Sequence, residues 1–236
     1  MMQQNIKTET NIKIPLAFIS FALITLVTSQ VILFFNSSEL LAGLFRIPDI
    51  WMSAHFLILG FAVMIAMGAM DQLVPVAFLT PLWSEKFAVI QFFVTVLGIT
   101  VLSTLLGFHP GWAFLGGALT VTGILLFVFQ MYKTLSKQEK AINISKFVFA
   151  ALICLVLTIL AGLLLTLSLA FGSQLNHGSL LLTHITFGLS GWFTLLIMGF
   201  SYKLVPMFSL SHQYKNSWQH SAFYCYSLLG ILDIDW

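Results

Sequence analysis

Charge is what this chain has least of. Only 8% of its 236 residues are Asp, Glu, Lys or Arg, where a soluble domain carries about 25%, and 59% are hydrophobic. That balance excludes a water-soluble globular protein and leaves an integral membrane protein. The formal net charge of +2 comes from scattered basic residues, which excludes nucleic acid as a partner. Cysteine is scarce too. Cys154 and Cys225 both lie in apolar runs, with neither a CxxC pair nor a CxxCH motif, so neither a disulfide nor a thioether-attached cofactor is supported. A cleavage signal is also missing. The first apolar run, Ile14 to Phe35, has lysines before it but no small-x-small site, and at 22 residues it reads as a retained span.

Long apolar runs are what the chain does have. At about 20 residues per bilayer crossing, they predict an all-α, polytopic transmembrane helix bundle with spans near 14–35, 52–79, 86–107, 112–132, 146–172 and 180–208. A seventh run begins near Trp218 and stops at Trp236 with Asp233 and Asp235 in its last turn, which is expected of a short helix or, preferably, of a chain cut off partway through a larger protein. In this layout Lys7, Lys13, Lys86, Lys133, Lys137, Lys140, Lys146, Lys203 and Lys215 share one side and only Arg46 lies on the other. The positive-inside rule then places the N-terminus in the cytoplasm, in a bacterial cytoplasmic membrane. Trp51, Trp83, Trp112 and Trp218 fall at span ends, as an interfacial aromatic belt would have them.

The chain also repeats itself. GFAVMIAMGAMDQLVPVAFL at 60–79 aligns with GWFTLLIMGFSYKLVPMFSL at 191–210, with seven of twenty positions identical. The chain therefore reads as a single transmembrane domain, 1–236, with a first repeat over about 14–132 and an incomplete second over about 146–236, each starting a four-span unit. Each signature span carries a histidine, His55 or His184. Gly188 and Gly191 follow His184 at i+4 and i+7, on the histidine's own face, where something can approach closely. The histidines do not share one register, since Gly68 follows His55 by thirteen residues and Gly199 follows His184 by fifteen.

A polar side chain within a span is costly and usually faces the bundle interior to a purpose. Counted from Pro75 and Pro206, the two histidines differ in depth by only about 3 Å at a rise of about 1.5 Å per residue. Neutral imidazole ligates iron, copper or zinc, and haem iron takes axial histidine from packed helices where glycines make room. The competing expectation is that the histidines are interhelical hydrogen-bonding groups and the glycines close-packing positions. His109, His177, His212 and His220 fall at loops and are expected to be solvated. Asp71 and Lys203, near the inner ends of the two signature spans, are expected to be an interfacial carboxylate and a snorkelling lysine, or else an ion pair or proton inlet.

The two inner ends read Gly68-x-x-Asp71-x-x-Val74-Pro75 and Gly199-x-x-Tyr202-x-x-Val205-Pro206. They resemble the Gly-x-x-Asn-x-x-Val-Pro pattern that follows the low-spin haem histidine in the haem-copper oxidase subunit I superfamily, and the chain looks closest to its small NnrS-like haem relatives. The resemblance covers about two helices well and the rest in layout. It departs in Asp71 and Tyr202 for the family's Asn, in the displaced His55, and in the lack of a copper-ligand histidine pair or a His-Pro-Glu-x-x-Tyr motif. The resemblance implies a haem b protein without the copper site, with His184 and His55 as axial metal ligands and Gly188 and Gly191 flanking the cofactor. Its implied partners are the lipid bilayer, an electron-donor protein or a gaseous ligand, and a second copy of the chain. Whether it is an oxidoreductase stays open, as does the alternative of a transporter or scaffold built from a duplicated four-helix unit.

Overall fold

Inside a bilayer no water satisfies backbone N–H and C=O groups, so an apolar run must satisfy them within itself as a helix. The computed structural model describes residues 10–138, 143–172, 176–210, 221 and 223. Among these residues the chain is helical, without strands. Six helices are long and apolar enough to cross a membrane: α1 (Lys13–Phe35), α2 (Pro48–Phe78), α3 (Glu85–Phe108), α4 (Pro110–Leu135), α5 (Ile144–Phe171) and α6 (His177–Ser209). The protein is thus an all-α polytopic helix bundle, with spans close to those read from hydropathy. The expected seventh span, with Cys225, and the residues His212, Lys215 and His220 lie outside the described residues.

The chain divides into two compact units, Met1–Thr134 with Leu163–Leu175, and Leu135–Gly162 with Asn176–Trp236. In the first unit α3 and α4 meet almost backbone to backbone. A Cβ added at Gly116 would lie 2.2 Å from the Leu102 nitrogen, and one at Gly98 2.5 Å from the Thr120 nitrogen. Without a hydrophobic force between helices in lipid, such close approach through small residues is the main source of attraction. The starts of the helices are fastened locally. Ser84 caps α3 by accepting from the Phe87 N–H, and Thr80 and Thr134 join the α2–α3 link to the end of α4 through the Thr80 Oγ1–Thr134 O bond at 3.0 Å.

Helix α1 packs along α2 through a ladder of small-residue contacts. A Cβ on Gly68 would stand 2.7 Å from that of Phe18, and one on Gly60 2.7 Å from that of Thr25. One rung further, Ser53 Oγ donates to the Ser29 carbonyl at 3.1 Å. In the second unit α5 packs along α6 by the same ladder. Gly199 meets Phe147, with a Cβ separation of 2.8 Å, and Gly191 meets Cys154, also at 2.8 Å; at the next rung the His184 ring reaches the Thr158 carbonyl at 2.9 Å. Phe18, Thr25 and Ser29 become Phe147, Cys154 and Thr158 by adding 129, while Gly68, Gly60 and Ser53 become Gly199, Gly191 and His184 by adding 131. The duplication therefore extends beyond one helix to a packed pair.

Two further features recur. Each signature helix opens into a π-helical stretch, Phe56–Val63 in α2 and Thr186–Phe193 in α6. Each carries its proline inside the last turns and ends on a leucine in the left-handed region, Leu79 and Leu210, both at φ 51°. A branched residue with that φ is costly. In the first copy the Thr80 N–H bonds to the Pro75 carbonyl at 3.1 Å.

Candidate functional site

The histidines are placed by different means. His184 follows about two turns of α6, which Asn176 caps with an Oδ1 that accepts from the N–H groups of Gly178 and Ser179. Its Nδ1 lies 2.9 Å from the Thr158 carbonyl of α5. A carbonyl can only accept, so Nδ1 carries a proton and a neutral ring has its lone pair on Nε2. The ring sits over Gly162, where an added Cβ would fall 2.9 Å from its Cε1. His55 is held by its own helix, with Nδ1 2.8 Å from the Trp51 carbonyl, and the same reasoning assigns the same tautomer. Each histidine stands just before its helix's π-helical stretch, a widened geometry frequent at functional sites.

The contact ladder gives the register that counting from the histidines left unmatched. The counterpart of His184 in the first copy is Ser53, and both direct a polar atom at a carbonyl of the preceding packed helix. The counterpart of His55 is Thr186. His55 belongs to the first unit and His184 to the second.

The two glycines after His184 do allow a close approach, and α5 is what approaches. Gly188 lies against Thr158 and Gly191 against Cys154. Cys154, Thr158 and Gly162 form an i, i+4, i+8 stripe on α5, a sequence signal for the groove that receives the histidine face. Eight residues beyond His184, Trp192 is wholly buried at 1% exposure, and its indole N–H has no acceptor among the described residues. A buried donor without a partner calls for an explanation. Among the described residues no three His, Cys, Asp or Glu side chains converge, so an ion held by protein ligands alone has no cage there.

Of the other histidines, His109 ends α3 and is exposed, as is His177 at the start of α6. Asp71 lies level with the start of α1, near the inner end as expected, but it is covered by protein and not exposed at the interface. It is fully buried, its backbone carbonyl accepts from Thr10 Oγ1 at 2.7 Å, and neither carboxylate oxygen is bonded among the described residues. The cause is the ladder itself, since Asp71 follows Gly68 by three residues on the face turned to α1. A buried carboxylate without a partner is a liability of several kcal/mol when charged. Asp71→Asn should therefore raise the melting temperature of detergent-solubilised protein, and Lys203→Met should leave that gain unchanged. A stability loss in Asp71→Asn that Lys203→Met reverses would instead reveal an ion pair.

Fold and site together define a polytopic helical membrane protein with a duplicated, tightly packed helix pair and a histidine in each signature helix. Comparison with family models, curated proteins and solved structures gives no match.

Proposed function

We propose that the chain is a membrane haem b protein related to the haem-copper oxidase subunit I superfamily, serving electron transfer or the binding of nitric oxide or oxygen without a copper site. His184 would be the principal residue holding the haem iron and His55 the second. The observation that carries this reading is that both imidazoles are pinned at Nδ1 by a backbone carbonyl, the outer-shell bond that orients a ligating histidine and directs its Nε2 lone pair. Trp192 fits the same group, because a buried N–H on the helix of His184 suits the acceptor that a haem carboxylate brings. When bound, haem would supply a one-electron couple or, where a single histidine holds the iron, a site for a diatomic ligand. The protein's part is to hold two rings in one tautomer, with Gly188 and Gly191 keeping α5 against the histidine face. A visible spectrum of the purified protein tests it.

The alternative, a transporter or scaffold without haem, is favoured by one observation: the Thr158 carbonyl gives His184 an interhelical bond that is complete as packing. The same spectrum separates the two, since only the first reading predicts a Soret band.

The cation asymmetry further supports a bacterial inner-membrane protein with its N-terminus in the cytoplasm. After replacement of Cys154 and Cys225, a cysteine at Lys137 should resist an impermeant thiol reagent in intact cells, and one at His177 should react. Labelling at 137 and protection at 177 would invert the topology.

A further inference from the structure

The first turns of α1 and α3 enclose a half-open cleft of about 350 Å³. Both helices begin at this end, and the Asn11 N–H donates to the Glu85 carboxylate at 3.0 Å, which ties the two starts together and engages the acid. Two cations, Lys13 and Lys86, line the same mouth. Both are exposed, and neither ammonium is paired with a carboxylate among the described residues. Below the mouth the lining turns apolar, with Ala17, Phe18 and Phe92 as its floor and Val89 and Phe93 along its open side, 43% and 63% exposed. The Phe18 and Phe92 rings, 4.9 Å apart, close the base.

We infer that this cleft is a binding site for one anionic phospholipid, its phosphate between Lys13 and Lys86 and an acyl chain along the apolar side. Depth supports the assignment. α1 and α3 enter the bilayer from this end, so the polar lip lies at headgroup level and the exposed phenylalanine and valine lie in hydrocarbon. Lysines at a span end lay their stems on apolar surface and put their charge at the interface, where basic residues attract anionic lipid. A soluble anion would use the lip and leave the apolar wall unused. A zwitterionic lipid would fill the wall and leave the net positive charge of the lip uncompensated. Glu85 keeps its negative charge, so the two lysines and the acid leave the lip with one net positive charge, and the bond from the Asn11 N–H holds that carboxylate at the joined helix starts.

Native mass spectrometry of the full chain in detergent, titrated with phosphatidylglycerol and with phosphatidylcholine of the same acyl chains, tests the proposal. Phosphatidylglycerol should bind at one site more tightly than phosphatidylcholine. Lys13→Gln with Lys86→Gln should weaken it roughly thirty-fold, taking the usual contribution of a basic residue near a lipid surface twice, and leave phosphatidylcholine adducts as they were. Both lysines are exposed and unpaired, so the substitution spares the fold, and Lys86→Gln alone should show about half the effect on a logarithmic scale. Ala17→Phe, which fills the floor, should weaken phosphatidylglycerol with both lysines intact. Equal binding of the two lipids, an unchanged affinity in the lysine variants, or displacement by glycerol phosphate alone would each overturn the site.

Discussion

His184→Ala should abolish most haem binding, and with it the Soret absorbance of the purified protein. His55→Ala should leave a Soret band that is weaker or of altered spin state. The asymmetry follows from how each ring is held. His184 is fixed from a second helix, by the Thr158 carbonyl and the notch over Gly162, so its Nε2 direction is set by the α5–α6 pair as a whole. His55 is fixed by a carbonyl one turn earlier in its own helix, and that bond survives any local shift of α2. A structural role for the histidines predicts something different. Removing His184 then costs one interhelical hydrogen bond, about 1 kcal/mol, and changes no spectrum. Gly162→Val separates the two again, because it leaves the ligand in place but pushes the ring from its notch, and the haem reading predicts a shifted or lost Soret band.

Gly116→Leu should prevent stable folding of the first unit. Its Cβ would stand 2.2 Å from a backbone nitrogen of α3, and backbone cannot rotate aside as a flexible side chain can. The helices would have to separate along the stripe that also includes Gly98 and Gly123, where an added Cβ would be 2.5 Å from Thr120 N and from Thr95 Oγ1 respectively. Overpacking typically costs about 1–3 kcal/mol and more where no side chain can give, and here three rungs are lost together. The expected result is loss of monodisperse protein after detergent extraction. Gly111→Leu, at a position where an added Cβ meets nothing within 4 Å, should extract normally. Equal yields for Gly116→Leu and Gly111→Leu would contradict the close contact of α3 and α4.

The spans were legible because hydropathy over twenty residues is a property of the segment alone; α1 and α6, for example, differ from their sequence readings by only a few residues. The repeat was legible through Gly-x6-Pro, which recurs where each ladder begins. The carbonyl that each histidine meets was not, because it depends on how the helices pack. The 131-residue offset of the signature spans already pairs Ser53 with His184, and the contacts give those two residues the matching partners Ser29 and Thr158. The π-helical stretches were not legible either, since Phe56–Val63 and Thr186–Phe193 share no residue type that demands the wider turn. The glycines after His184 announced a close approach without saying from which side, and Thr158 and Cys154 supply it. The distance of Asp71 from Pro75 gave its level but not its burial. Asp71 is buried because the face it shares with Gly68 is the one α1 covers.

The central claim is that the two carbonyl-pinned imidazoles are haem ligands. The measurement that meets it most directly is the visible spectrum, oxidised and dithionite-reduced, of the chain purified in mild detergent from cells supplied with haem precursor. The account predicts a Soret band that moves on reduction, with α and β bands of a b-type haem. A monodisperse, helical protein with no absorbance beyond its aromatic residues would contradict it.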